Sequence, residues 1–270
     1  MKIFVHSVGL LGPGLASWAT AQEVLRGAQA HVASKTKLQP PARLPSAERR
    51  RAGDAIKLAM AVADEAVTTG EMNPQTLATV FTSSSGEGVN CHTICETLAS
   101  DNRLISPTRF ANSVHNAPAG YWHIAVASQA PSTSLCAFDG SFAAGLVEAA
   151  SKSLSLQVPV LLVASDTPYP EPLHATRPLA DSFGMALVLT PKASARSLAA
   201  LQIALVADDP AAPCTACEDA SLEFLRAHTP AAHGLPLLQA LARKGERQSL
   251  LIDYLPSLGL QMDVTSPGAA

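Results

Sequence analysis

Short runs of apolar residues alternate along this chain with segments of helical periodicity, and this alternation restricts the possible folds more than any other feature. The runs are Ala78–Thr82, Val158–Ala164 and Met185–Leu189. Their continuous apolar character over a few residues is typical of strands buried on both faces of a sheet. Between them, Ala47–Val67 has apolar residues at helical spacing, and Gly140–Ala150 is a helix of small residues. We therefore predict an α/β fold with a mixed, mostly parallel sheet covered by helices on both faces.

The pattern of helices and strands continues to the C-terminal part of the chain. Ala, Asp and Pro predominate in Ala207–Pro213, which we interpret as a connector. Two helices and a closing pair of strands are predicted after it, at about Ala220–Ala227, Leu235–Arg243, Ser249–Tyr254 and Gly259–Val264. We predict one domain over residues 1–270, in which residues 206–270 form a divergent C-terminal extension.

Composition and charge exclude several classes of function. The 270 residues are 47% hydrophobic and 15% charged, with a formal net charge of −3. The one basic cluster, Arg49–Arg51, is short and is interpreted as the first turn of the following helix, so we expect no nucleic-acid surface. The apolar run after Met1 is too short for a signal peptide, and no segment has the roughly 20 apolar residues of a membrane span. We therefore expect a cytoplasmic protein whose five cysteines are reduced.

Four stretches, in the same order and with compatible spacing, resemble the N-terminal half of β-ketoacyl-acyl-carrier-protein synthases. They are Ile3–Val8 with the Gly-rich turn and Trp18 helix after it, Ser106–Pro107 with Phe110–Gly120, Pro131–Ser134, and Arg177–Leu179 with Phe183–Leu189. Each stretch alone is a weak signal, but the ordered set is specific. The resemblance implies a thiolase-like fold in a single copy, with no cofactor.

The resemblance also reveals a departure at the position of the family's nucleophile. The family pattern Pro-Ser-x-Ser-x-x-x-x-Cys, carried from Pro131 without a gap, puts its catalytic cysteine at Asp139. The nearest thiol, Cys136, comes three residues too early. A carboxylate there would form a mixed anhydride instead of a thioester, and its charge would oppose a malonyl carboxylate. We predict that Asp139 caps the helix that begins near Gly140, which would contribute roughly 1 kcal/mol.

A second departure concerns the histidines that assist decarboxylation in the family. A complete synthase is a longer internal duplication, and its later copy carries them in His-Gly-Thr-Gly-Thr and Asn-x-x-x-Gly-Phe-Gly-Gly motifs. Neither motif occurs in this sequence, and His228 and His233 lie in a segment that resembles neither. The two departures together predict a chain without the family's condensing chemistry.

Synthase-like subunits without the cysteine are known in the family as chain-length factors, which pair with an active synthase and close the end of its acyl tunnel. The resemblance implies such a role here, as in aryl polyene and type II polyketide systems, with a full-length synthase as heterodimer partner and acyl carrier protein as a second candidate partner. By analogy, the side chains that reach the partner's tunnel come from a segment that crosses the dimer interface: Thr108, Arg109, Phe110, Asn112, Val114 and Asn116. Phe110 and Val114 could equally be core residues, and the same choice applies to Tyr121 and Trp122 as interface anchors.

Two other functions remain open from the sequence. The chain could be an independent enzyme that handles acyl thioesters, with Cys136 or a serine of the Ser83–Ser85 turn as nucleophile. It could also be a homodimeric module that binds acyl chains or carrier protein.

Metal and redox functions have weaker support. Cys214 and Cys217 have CxxC spacing, and Cys91, His92 and Cys95 offer three more ligands, but nothing in the resemblance brings the two groups together. We interpret these cysteines as structural thiols and predict no metal site. His115 and His123 are eight positions apart and need not face one site.

Overall fold

The computed structural model describes residues 1–207, 212–243, 245 and 247–266, so most of the predicted connector lies outside the described residues. Eight strands are described: β1 Lys2–Leu11, β2 Ala78–Thr82, β3 Ser132–Leu135, β4 Val160–Asp166, β5 Phe183–Thr190, β6 Ala199–Ala207, β7 Gln248–Leu255 and β8 Leu258–Thr265. The α-helices described are α1 Trp18–Leu25, α2 Ser46–Arg51, α3 Asp54–Thr69, α4 Gly88–Ala99, α5 Pro107–Ala111, α6 Ala117–Val126, α7 Ser141–Leu156, α8 Leu173–Thr176, α9 Ala220–Ala227 and α10 Leu235–Ala242. Two 3-10 turns, Phe138–Gly140 and Pro230–Gly234, precede α7 and α10.

The strands form one mixed sheet in the order β3-β2-β4-β5-β1-β6-β8-β7. Only the pairs that β2 makes with β3 and β4 are parallel, and every other neighbouring pair is antiparallel. The prediction of a mostly parallel sheet is therefore wrong. A parallel return needs a crossover connection, usually helical, whereas β4 and β5 are joined by a segment whose only helix is the four-residue α8. The strands β7 and β8 form a tight hairpin.

Helices cover both faces of the sheet, as predicted. On one face, α1, α7, α9 and α10 enclose a large core with Trp18, Phe142 and Phe183. On the other face, α3 and α6 pack on β2, β4 and β5 around Trp122 and Met60. Strands β6, β7 and β8 contribute to the first core, so residues after 198 extend the same sheet that the N-terminal strands form.

The predicted long helix at Ala47–Val67 is divided into α2 and α3 at Ala52–Gly53. The division occurs because the carboxylate of Glu87 accepts a hydrogen bond from the backbone N–H of Ala55, at 3.1 Å, and so caps α3. A Cβ at Gly53 would overlap that carboxylate. The arginines at 49–51 consequently lie in the last turn of α2 instead of a first turn.

The remaining helices and strands agree with the predictions from sequence to different degrees. Ser17 caps α1 by accepting a hydrogen bond from the Thr20 N–H, as predicted, and α9, α10, β7 and β8 lie where they were predicted. Strand β6 was missed, because apolar residues such as Leu205 on its exposed face interrupt the expected alternation. Among the described residues, no helix is long and apolar enough to cross a membrane.

Candidate functional site

The turn between β3 and α7 is the centre of the candidate site. Phe138 adopts a left-handed backbone conformation, with φ of 52°, and begins the 3-10 turn. The hydroxyl of Ser141 closes the turn, since it accepts a hydrogen bond from the Ala137 N–H and donates one to the Phe138 carbonyl. A Cβ at Gly140 would overlap the carbonyl oxygen of Tyr254 in β7, so this close approach requires glycine.

Asp139 projects from this turn and forms an ion pair with Arg177, with 2.6 Å between Oδ1 and Nη2. The guanidinium of Arg177 also lies over the Phe138 ring, 3.5 Å from its centroid. The N-cap position of α7 is Gly140, and no side-chain hydrogen bond from the described part of the chain caps that helix. The prediction that Asp139 is a helix cap is therefore wrong: the 3-10 turn moves Asp139 away from the free N–H groups, and its carboxylate bonds Arg177 instead.

A cleft of about 1110 Å³ opens beside Asp139. Its polar lining includes residues from four separate parts of the chain: Asp139, Arg177, Arg226, His228, Thr229, His233, Asp253 and Tyr254. Sequence reasoning did not connect His228 and His233 with Asp139, and no local signal could have done so, because the chain brings them together only through the packing of α9 and the second 3-10 turn.

The charges around the cleft are largely paired within the protein. Arg226 forms a two-point ion pair with Glu223, with distances of 2.6 and 2.8 Å. Asp253 accepts a hydrogen bond from the Cys214 thiol at 3.0 Å. His233 is nine-tenths buried, and desolvation, together with the charge of Arg226, lowers its pKa below the ordinary value. The ring of His233 is therefore a neutral group at neutral pH.

Asp166, at the end of β4, connects this region to the Ser83–Ser85 turn. It is almost fully buried, and its Oδ1 accepts hydrogen bonds from both Ser83 Oγ and Ser84 Oγ, at 3.2 and 2.8 Å. Its Oδ2 accepts the backbone N–H of Ala231 at 2.7 Å. The hydroxyls of Ser83 and Ser84 are thus structural donors to a carboxylate. Sequence reasoning missed Asp166, because no recognisable motif surrounds this residue at the end of its buried strand.

Cys136 lies just after β3, and its side chain is exposed. Its thiol donates to the Ser84 carbonyl oxygen at 3.0 Å. Among the hydrogen bonds of the described residues, none joins this thiol to an imidazole or a carboxylate.

The segment that carries the predicted partner-facing residues is largely exposed. The exposed fractions of Phe110 and Val114 are 69% and 52%, so neither is a core residue of this chain. Arg109 and Asn116 are exposed, and Thr108 is half-buried.

Three residues in this segment and in the following helix α6 are buried. The amide of Asn112 accepts a hydrogen bond from the Tyr121 hydroxyl and donates one to the Arg51 carbonyl, so its side chain does not reach the surface. Tyr121 and Trp122 are core residues.

Large apolar side chains are exposed along α4, α5, α6 and the segments between them. Strand β3 is the edge strand, paired with β2 on one side only. Helix α4, next to α5 and between β2 and β3 in the chain, buries only Asn90. The large exposed apolar residues of this part of the chain are Val89, Leu98, Leu104, Phe110, Val114 and Ile124.

The remaining cysteines lie on α4 and just before α9. Burial, and next the charge of Glu223, raises the pKa of Cys217 to about 12, so its thiol is protonated at neutral pH. Cys91 and Cys95 are exposed on α4, and burial raises the pKa of Cys91. Within the part of the chain that the structure describes, no group of three or more potential ligands could hold a metal ion.

Several solved structures share this fold. A chain of "Ketosynthase (ApeO) in Complex with its Chain Length Factor (ApeC) from Xenorhabdus doucetiae" is 22% identical, with a TM-score of 0.73 and 97% of this chain and 99% of that chain covered. "The ishigamide ketosynthase/chain length factor" is 14% identical, with a TM-score of 0.75 over 99% and 100% of the two chains. A chain of "AntDE:AntF (apo): type II PKS acyl-carrier protein in complex with its ketosynthase bound to the hexaketide" is 10% identical, with a TM-score of 0.74 and 98% of this chain and 99% of that chain covered. At these identities the likeness establishes the thiolase-like fold.

The family assignment comes from the sequence. No curated protein sequence matches the chain. The sequence model described as beta-ketoacyl synthase, N-terminal domain, matches residues 17–250, which is most of the chain. The match includes the turn with Asp139, the apolar edge and most of the residues that line the cleft. This chain belongs to the β-ketoacyl synthase N-terminal domain family.

Proposed function

We propose that this chain is a non-condensing subunit, similar to a chain-length factor, that pairs in the cytoplasm with a full-length β-ketoacyl-ACP synthase. It would complete the dimer and shape the acyl tunnel of that synthase, in the synthesis of aryl polyenes or related polyketide or fatty-acid-like chains. The observation that carries the proposal is Asp139, which stands where the family pattern has its nucleophilic cysteine.

The environment of Asp139 is unsuited to covalent catalysis. Acyl transfer from a carrier-protein thioester needs a thiolate that can form a new thioester. The Asp139 carboxylate is engaged by Arg177, whose guanidinium is in turn stacked on Phe138. An anhydride formed at this carboxylate would also break that ion pair. The turn therefore favours a structural role for the residue.

The apolar edge of the sheet supports the heterodimer. An edge strand with free N–H and C=O groups can pair with a strand of another chain, and β3 is such a strand. Phe110 and Val114 also expose apolar side chains whose burial by a partner would be favourable. Two of the similar solved structures are complexes of a ketosynthase with a chain length factor, and a third contains an acyl-carrier protein.

The decisive experiment is co-expression with a full-length synthase from the same pathway, with a tag on the synthase alone. Size-exclusion chromatography with mass determination should then give a one-to-one complex. Elution of this chain by itself, as a well-behaved monomer or homodimer, would contradict the proposal, and a homodimer would favour the homodimeric binding module.

The non-catalytic role is tested in the same complex with Asp139→Asn. A general acid or base contributes about 100-fold or more to a rate. We expect the condensation rate of the complex to change by less than about twofold, because the residue only pairs with Arg177. A loss comparable to that of removing the synthase cysteine would show that Asp139 takes part in the reaction.

The alternative of an independent thioester-handling enzyme has one observation in its favour, the exposed thiol of Cys136. Its hydrogen bond to a backbone carbonyl provides no base. A thiolate-specific reagent applied to the native chain at neutral pH distinguishes the two functions. Selective labelling at Cys136, faster than at the exposed Cys91 and Cys95, would support the enzyme.

A further inference from the structure

Two thiols lie side by side on the surface of helix α4. Cys91 and Cys95 are four residues apart, so their side chains share one face of the helix. Both residues are exposed. The two thiols are also in hydrogen-bond contact with each other. The pair is therefore accessible from solvent and already assembled by the helix alone.

The other three cysteines do not offer a second pair of this kind. Cys136 is exposed, but its thiol donates to the Ser84 carbonyl oxygen. Cys214 donates to the carboxylate of Asp253 at 3.0 Å. Cys217 is buried, and burial raises the pKa of its thiol to about 12. Of the described cysteines, only the two on α4 bring exposed thiols together.

The spacing of the pair suits a bridging ion better than a disulfide. Residues four apart on a helix have Cβ atoms about 5–6 Å apart, whereas a disulfide requires about 3.5–4.5 Å. A disulfide between Cys91 and Cys95 would therefore distort α4. Two metal–sulfur bonds of about 2.3 Å each span about 4.6 Å between the sulfur atoms. Side chains at this spacing can bind one ion while the helix stays intact.

The surroundings favour an ion that needs only two ligands. His92 is the nearest imidazole in the chain, and its Nε2 lies 3.2 Å from Oε1 of Glu96. Among the described residues, no group of three or more side chains could hold a metal ion. Structural Zn²⁺ sites have four protein ligands, so they do not fit here. Thiolates prefer soft ions such as Cu(I), which two thiolates can bind in a linear arrangement.

The electrostatics of the pair favour a cation. The pKa of Cys91 is raised first by burial of part of its surface, and then by the charge of Cys95 and the hydrogen bond between the two thiols. Two adjacent thiolates repel each other, and a cation between them offsets that repulsion. Metal binding must release the thiol protons, so the affinity should fall as pH is lowered.

We propose that Cys91 and Cys95 form a binding site for a soft monovalent metal ion of the Cu(I) class. Two S–H bonds are replaced by two S–Cu bonds, two protons are released, and no electron is transferred. The proposal does not rest on the synthase partner, because both ligands come from one helix of this chain.

The test is an anaerobic titration of the reduced full chain with Cu(I), in competition with the chromophoric chelator bicinchoninate. We expect the chain to withdraw one equivalent of Cu(I) from the chelator. Cys91→Ser and Cys95→Ser should each lower the Cu(I) affinity by at least about 100-fold, since loss of a group that merely orients a metal ligand already costs roughly 10–100-fold. Cys136→Ser removes another exposed thiol and should leave the affinity unchanged.

A spacing variant distinguishes the paired site from binding to thiols in general. Cys95→Ser combined with Thr93→Cys keeps the number of cysteines, but puts the second thiol two residues from Cys91, where the side chains do not face each other. This variant should bind Cu(I) as weakly as Cys95→Ser, with the helical circular dichroism unchanged. Binding as tight as in the wild type by the spacing variant or by either serine variant, or no withdrawal of Cu(I) by the wild type, would overturn the proposal.

Discussion

At the residue scale, the cleft places two titratable side chains in opposite environments. Asp139 is 58% exposed and shares its charge with Arg177 at the surface. His233 is buried, and its pKa is lowered first by desolvation and then by the Arg226 charge, while Asp253 and other carboxylates act in the opposite direction. Because its pKa is lowered, the His233 ring is neutral at neutral pH.

This difference predicts a dependence of stability on pH. The folded-state pKa of His233 lies below its ordinary value of 6.5, so the unfolded chain binds the proton more readily. The contribution of His233 is fully present above about pH 6.5 and is lost as pH falls toward the lowered pKa. Thermal unfolding measured between pH 8 and 5 should show this loss.

The variant His233→Leu removes the titrating group and should flatten the acid side of the stability profile. His92→Gln, on the exposed helix α4, should leave the slope as in the wild type. An identical slope in His233→Leu would assign the acid sensitivity to other groups.

At the element scale, helices α4 and α5 differ from the rest of the molecule in how little they bury. Helix α4 contributes one buried residue, Asn90, whereas α3 in the adjoining layer buries most of one face. The amide of Asn90 donates to the Arg109 carbonyl oxygen at 2.8 Å and so joins α4 to α5. These elements are held to the domain by few apolar contacts and turn their apolar side chains outward, as expected of a surface that a partner covers.

We expect Val114→Glu to leave the chain folded and to weaken its complex with the synthase by about tenfold or more, since a charge would be buried in an apolar contact. Affinity can be measured by titration of labelled synthase. Val32→Glu is the matched control, because Val32 is 74% exposed in a different part of the surface, near Gly14 and α9. Equal effects of the two variants, or no effect of Val114→Glu, would place the partner elsewhere.

The turn before α7 also packs against β7, which is far away in the chain. Because Gly140 packs against the Tyr254 carbonyl of β7, Gly140→Ala should force the two backbones apart and destabilise the fold by roughly 1–3 kcal/mol. Gly120→Ala is the control: a Cβ there meets open space in α6, so stability should rise by up to about 1 kcal/mol. Urea unfolding measures both changes, and a neutral Gly140→Ala would show that the contact with β7 is dispensable.

At the scale of the whole molecule, one sheet separates two cores and extends from β3 at one edge to β7 at the other. We propose that residues 1–270 form one domain, in which the C-terminal strands are part of the fold and not an appendage. The packing of α1 against α10 supports this, since it joins the first helix to the last described one.

The two tryptophans test this proposal because they lie on opposite faces of the sheet: Trp18 in the first core and Trp122 in the second. Fluorescence of the single-tryptophan variants Trp18→Phe and Trp122→Phe should report the same urea midpoint, after correction for the effect of each substitution. Two separate transitions would indicate independently unfolding units.

Much of the fold followed from local pattern. Continuous apolar runs identified the central strands, helical spacing identified α1, α7, α9 and α10, and the ordered motifs identified the family. Strand direction was predicted wrongly, because the course of a connection is not encoded in the strands that it joins. The break between α2 and α3 depends on Glu87, which is distant in sequence and becomes a cap only when α4 packs nearby.

The sequence by itself determined the α/β class and the family, because these depend on residue identity and on spacing over short distances. Tertiary structure alone decided that Asp139 pairs with Arg177, that Asn112 points inward while Phe110 and Val114 point outward, and that Thr229 and His233 face the same cleft as Asp139. Those facts depend on contacts between segments that are far apart in the chain, where burial and pairing are set by the packing of the whole molecule and not by neighbouring residues.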